Sequence, residues 1–132
     1  MHINTNINLA QPLAEMRAAF AEYEAALISN DTATLIRLFS ETPETIRYGI
    51  GENLYGAEEI QAFRRARPST GLMRHLSRTV ITTYGQDFAI ASTLFQRDTA
   101  PGKIGRQMQS WVRLPEGWRI VAAHVSLIDE TP

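Results

Sequence analysis

Between Leu13 and Leu27, apolar side chains recur at intervals of three and four: Leu13, Met16, Phe20, Tyr23 and Leu27. That period gathers them on one face of a helix, with Glu15, Arg17, Glu22 and Glu24 on the other. Pro12 suits the first helical position, where a missing N–H costs nothing, and the helix is predicted to end near Asn30. Asp31 then caps a short second helix that turns Leu35, Leu38 and Phe39 inward, and Pro43 stops it. The β-branched and aromatic run Thr45 to Tyr48, closed by Gly49 and Gly51, reads as a strand and a turn. Gly56-Ala57-Glu58-Glu59 opens a third helix, with acids in its first turn and Ile60 and Phe63 inward, ending before Pro68.

After Gly71 the period drops from about 3.6 residues to 2. Four segments rich in Thr, Val, Ile, Phe and Trp follow: Leu76 to Tyr84, Phe88 to Arg97, Arg106 to Leu114 and Trp118 to Leu127. Gly85-Gln86-Asp87 and Pro115-Glu116-Gly117 are tight hairpin connections, and Asp98 to Gly105 is a longer loop. Helices first and a meander afterwards predict an α+β fold with helices on one face of a curved antiparallel sheet. A bent sheet wrapped over a long helix makes a cone whose open end is a pocket.

Residues 1–10 are expected to be a loose polar arm and residues 11–132 a single domain. The net charge of -1 argues against nucleic acid as a partner. No apolar run approaches the roughly 20 residues that cross a bilayer, and no leader pattern precedes Ala10, so a cytoplasmic protein is expected. Without cysteine, disulfides and thiolate chemistry are excluded. Of the 13 basic residues only Lys103 is lysine; an arginine bears on function only where it points into a pocket.

The segment Gly117-Trp118-Arg119-Ile120-Val121-Ala122-Ala123-His124-Val125-Ser126 resembles the closing strand of the SnoaL-like (nuclear-transport-factor-2-like, cystatin-like) superfamily, which includes the kinase hub domains. Three further segments are similar to one branch of it. They are Thr45 to Gly49 with Glu52 to Gly56, Arg78 to Gly85, and Pro101 to Trp111. On these the chain resembles the AtzH-like family, related to the HpxZ-like proteins of oxalurate catabolism. The resemblance implies a SnoaL-like cone and a role in the breakdown of urea-like compounds, such as those of cyanuric acid and ureide catabolism. The implied reaction is decarboxylating amidohydrolysis of 1,3-dicarboxyurea to allophanate, with no cofactor. It also implies an active pair, a tyrosine of the first helix and an arginine of the first strand, which here are Tyr23 and Arg47.

Read for themselves, these residues allow two roles each. Alternation puts Arg47 opposite Ile46 and Tyr48, as a carboxylate clamp or as the partner of a helix carboxylate. Tyr23 lies on an apolar stripe, as a core residue with its hydroxyl at the rim or as a proton donor to a carbamate nitrogen, which then releases carbon dioxide. Strand alternation groups Trp118, Ile120, Ala122, His124 and Ser126 on one face and Gln107, Gln109 and Trp111 on another, both expected to face the cavity. His124 is then a general base or a hydrogen-bonded core histidine, and Gln109 a ligand for a urea group. Asn53 and Glu52 line the mouth or satisfy the turn.

His2, His75 and His124 have no metal-ligand spacing, so no metal is expected. There is no Gly-x-Ser-x-Gly elbow, and the Gly49 and Gly102 segments lack phosphate-loop spacing. The expected ligand is a small anionic ureido or dicarboxylate compound, with a functional link to an amidase of the same pathway. The alternatives are an accessory protein of oxalurate catabolism and a non-catalytic anion-binding or oligomerisation module. Met108, Val112, Val121, Val125 and Leu127 fall opposite the proposed pocket faces, which predicts a homodimer or larger homo-oligomer.

Overall fold

The computed structural model describes residues 6–131. In chain order the elements are α1 (Ala10–Ser29), α2 (Thr32–Leu38), β1 (Ile46–Tyr48), β2 (Asn53–Tyr55), α3 (Gly56–Ala66), β3 (His75–Tyr84), β4 (Phe88–Gln96), β5 (Lys103–Leu114) and β6 (Gly117–Asp129). The strands form one sheet in the order β2-β1-β6-β5-β4-β3. All neighbours are antiparallel except β1 and β6. Among the described residues no helix is long and apolar enough to cross a membrane.

α1 begins at Ala10, and its first intrahelical bond runs from Leu13 N to Leu9 O. Pro12 therefore stands in the first turn, where its missing N–H leaves nothing unpaired. Asn30 ends the helix in the left-handed conformation, a cap that asparagine tolerates. The Asp31 carboxylate accepts from Thr34 N at 3.2 Å and caps α2 as its sequence predicts. Met16, Phe20, Tyr23 and Leu27 of α1 pack with Leu35, Leu38, Ile60, Trp111 and Ile120 in one core under the concave face of the sheet. Glu24, expected on the polar face of α1, is buried. It follows Phe20 by one turn and shares its face.

Residues 1–5 of the expected arm, with His2, lie outside the described residues. The remainder is joined to the sheet edge: Asn8 N donates to Thr83 O at 3.0 Å and Gly85 N to Asn6 O at 2.8 Å. β2 was not expected from the sequence. Three residues between a glycine-bounded turn and the start of α3 carry too little pattern to be recognised, yet they close a hairpin on β1.

Two bulges bend the sheet. One lies between Ser77 and Val80 of β3, where Arg78 has φ 51°. The other is in β6: Ser110 pairs with Ala122 but Trp111 with Ile120, so Val121 is the extra residue. Where β4 and β5 pair, the Phe95 ring lies over the Gly105 backbone. A Cβ there would fall 2.1 Å from Phe95 Cζ. Gly105→Ala is expected to cost about 1–3 kcal/mol of unfolding free energy by overpacking, which a urea denaturation curve would measure.

Candidate functional site

A cavity of about 290 Å³ opens between the end of α1, the β1–β2 turn, the segment after α3 and the concave face of the sheet. Tyr23 and Arg47 both line it. Arg47 is buried, as the alternation of β1 predicts. Its guanidinium lies 4.9 Å from the Phe63 ring centroid and donates to Glu52 Oε1 at 2.9 Å, while its Nε has no partner among the described residues. Gly49 permits this arrangement, since a Cβ there would sit 1.8 Å from Glu52 Oε1 and 2.8 Å from Arg47 Nη1.

Four arginines line the cavity, namely Arg47, Arg67, Arg74 and Arg97, against one carboxylate, Glu52. Arg74 is already engaged: its Nε donates to Glu24 Oε2 at 3.1 Å, its Nη2 to Glu24 Oε1, and Nη2 also to Gln107 Oε1 at 2.9 Å. Arg67 and Arg97 have no carboxylate partner among the described residues. Arg67 donates to the Leu27 carbonyl at 3.3 Å. Arg97 lies 5.3 Å from the Phe95 ring centroid, with its Nε buried and unpartnered. Burial, followed by the charge of Arg64, lowers Arg67 to about 10, and burial followed by Arg74 lowers Arg97. Arg67 is therefore still a cation at neutral pH, and the cavity carries positive charge that its own carboxylates do not balance.

Tyr23 is held by its ring, edge-on to Trp111 and tilted against Phe39, with both centroids at 6.4 Å. Its hydroxyl accepts from Arg64 Nη2 at 2.9 Å. Burial alone would raise the phenol. The charges of Arg64, Arg47 and Arg74 outweigh it and hold Tyr23 below its ordinary value, with Glu24 opposing them.

Of the other candidates, Gln107 lines the cavity. Gln109 shares its face but is buried beyond it, accepting the Trp111 indole N–H at 3.0 Å. His124 and Ser126 are on the opposite, convex face. His124 is exposed, edge-on to Tyr48 at 6.0 Å, and Ser126 accepts from Arg106 Nε at 3.2 Å. The bulge at Val121 is the reason: it reverses the parity of β6, so Trp118 and Ile120 face inward before it and Ala123 and Val125 after it. Val125, expected outside, lines the cavity instead, and Leu127 turns in beside Gly105. Asn53 is exposed on the edge strand β2 and does not line the cavity. Among the described residues no group of His, Asp and Glu side chains is placed to hold a metal.

Arg64, Arg67, Arg74 and Arg97 escaped the sequence reading. For two of them a signal was present. Arg64 follows Ile60 by one turn, and Arg97 continues the inward alternation of Ala89, Ala91, Thr93 and Phe95. Arg74, between elements, left none.

Three helices over a curved, open sheet with a polar cavity at its mouth define the cystatin-like, nuclear-transport-factor-2-like fold, the SnoaL-like cone. A putative ketosteroid isomerase from Parabacteroides distasonis shares that fold, with TM-score 0.68 and 16% identity over 83% of this chain and 84% of that one. Much closer is a protein of unknown function of the DUF3225 family from Pectobacterium atrosepticum. It is 62% identical, with TM-score 0.92, over 95% of this chain and 97% of that one. A cystatin-like fold protein from Burkholderia xenovorans is 50% identical, with TM-score 0.90, over 95% of this chain and 98% of that one. No curated protein matches the sequence. The AtzH-like family model matches residues 5–131, and the chain belongs to the AtzH-like family.

Proposed function

We propose that this protein is a cofactor-independent decarboxylating amidohydrolase that converts 1,3-dicarboxyurea, or a closely similar N-carboxylated urea, to allophanate. The observation that carries this reading is the charge of the cavity: beside the Tyr23 phenol and the Arg47–Glu52 and Arg74–Glu24 pairs, Arg67 and Arg97 line it with no carboxylate partner among the described residues. Such a site suits a small ligand with an anionic group at each end. Arg47 holds one carboxylate and Arg67 with Arg97 the other; planar guanidinium groups fit carboxylates in this way. Tyr23 supplies a proton to the nitrogen that bears the departing carboxylate. Charges fixed in advance around the developing phenolate supply much of the rate.

The test is turnover. 1,3-Dicarboxyurea generated by an upstream amidase is added to the protein, and allophanate is followed against urea. Allophanate formed faster than in its absence supports the reading, and urea alone removes this substrate. In either case dicarboxylates should bind more tightly than monocarboxylates of the same length. Arg97→Gln should erase that preference, losing about 1–3 kcal/mol of dianion affinity by calorimetry.

A homodimer is part of the same proposal. Val80, Tyr84, Phe88, Met108 and Ile128 are exposed large apolar residues on the convex face of the sheet, where such a patch favours a second subunit. Light scattering at micromolar concentration should give twice the chain mass, and Met108→Asp should shift it toward the monomer.

A further inference from the structure

We propose that Arg64 is a positioning residue for Tyr23: it holds the phenolic oxygen as an acceptor, leaves the phenolic hydrogen to the cavity, and stabilises the phenolate that remains once that proton is given away. The inference rests on the reading of Tyr23 as a proton donor.

Arg64 is 1% exposed and has no carboxylate at ion-pair distance among the described residues. Its Nη2 reaches Tyr23 Oη at 2.9 Å, and its Nε and Nη1 have no partner. The guanidinium lies 5.6 Å from the Phe39 ring centroid and 6.0 Å from that of Phe63. A guanidinium donates and never accepts, so the sense of the bond is set by chemistry: Arg64 donates and Tyr23 accepts. The phenolic hydrogen cannot point back at Arg64. No protein acceptor takes it among the described residues, and Tyr23 borders the cavity. The hydrogen is left for whatever occupies that space.

The same geometry stabilises the site after proton transfer. An arginine buried without a carboxylate is unfavourable, and beside a neutral phenol it keeps one charge-assisted bond. Beside a phenolate it gains a full ion pair at that distance. The charged groups facing Tyr23 are Arg64 of α3, Arg47 of β1, Arg74 before β3 and Glu24 of its own helix, and Arg67 and Arg97 also feel its charge. Cations predominate, so the transfer relieves an existing imbalance.

In the step itself the proton leaves Tyr23 Oη for the carbamate nitrogen. The bond between that nitrogen and the departing carboxylate carbon breaks, its electron pair stays on nitrogen, and carbon dioxide leaves. Tyr23 remains as phenolate beside Arg64 until a proton from water restores it, so one proton is consumed per turnover. Because the donor must hold its proton, the rate falls as pH rises through the lowered value of Tyr23.

The experiment is an ultraviolet pH titration of tyrosinate in the full chain, which needs no substrate, alongside the pH dependence of kcat. The unmutated protein should show one tyrosine ionising ahead of the others, and Tyr23→Phe should lack it. Arg64→Met should move that ionisation up by about 1–3 pH units, with the alkaline limb of kcat moving in parallel and KM little changed. Arg64→Lys, which keeps the charge, should recover most of the shift, and Arg64→Gln provides the neutral comparison if the methionine variant does not fold by circular dichroism. An early phenol that stays in place in a folded neutral variant, Arg64→Met or Arg64→Gln, overturns the proposal, as does its absence from the unmutated protein. An early phenol that moves with Arg64 while 1,3-dicarboxyurea is untouched supports the pairing and removes only the substrate reading.

Discussion

Tyr23→Phe is expected to lower kcat for carbamate decarboxylation by about 10²- to 10⁴-fold, the range for a positioned general acid, and to leave dicarboxylate affinity within a few fold. The ring contacts with Trp111 and Phe39 use the aromatic faces and edges, which phenylalanine keeps. Among the described residues the hydroxyl is the sole hydrogen-bond partner of the Arg64 guanidinium. Its loss should therefore also cost about 1–3 kcal/mol of stability for the donor left unpaired. The two effects separate experimentally: calorimetric binding and a thermal melt report the structural part, and single-turnover kinetics report the chemistry. Turnover within about tenfold of the unmutated protein would exclude Tyr23 as the proton donor.

For stability the largest single effect should come from Arg74→Met, which removes about 3–5 kcal/mol because it strands a buried carboxylate. Glu24 is 7% exposed and Arg74 4% exposed. After the substitution the hydrogen bond left to Glu24 among the described residues is a long one of 3.4 Å from Gln107 Nε2. The melting temperature should fall by roughly 10–20 °C for a domain of this size. Glu24→Gln in the same chain should recover much of the loss, because the pair is then replaced by neutral groups. A double-mutant cycle with no coupling between the two positions would contradict the pairing. Gln107 links this ion pair to the cavity wall, so ligand affinity should weaken in parallel.

How much of this was legible beforehand varied with how local each feature is. α1, α2 and α3 were visible because their apolar residues repeat every three or four positions over a turn or more, and because the Asp31 side chain caps α2 while Asn30 tolerates the left-handed turn that ends α1. β3 to β6 were visible because each is nine or more residues long and alternates on either side of any bulge. β2 has three residues and escaped for that reason. Arg47 was placed correctly by the alternation of β1. Its pairing with Tyr23 came from family resemblance, since nothing in a helix period says which strand its tyrosine will meet.

By itself, then, the sequence determined the α+β class, the order of every element but β2, the family, and two residues, Tyr23 and Arg47, that line the cavity. Only the tertiary structure decided which side of β6 faces that cavity. One extra residue, Val121, moved His124 and Ser126 to the convex face and brought Val125 inside, because strand alternation has a period of two and a single insertion inverts everything beyond it. Tertiary structure alone also gathered Arg64, Arg67, Arg74 and Arg97 around Tyr23. They come from α3, the segment after it, the approach to β3 and the end of β4, and periodicity describes only neighbours within one element. The charge of the cavity arises where those elements cross, and that crossing is set by the bend of the sheet over α1.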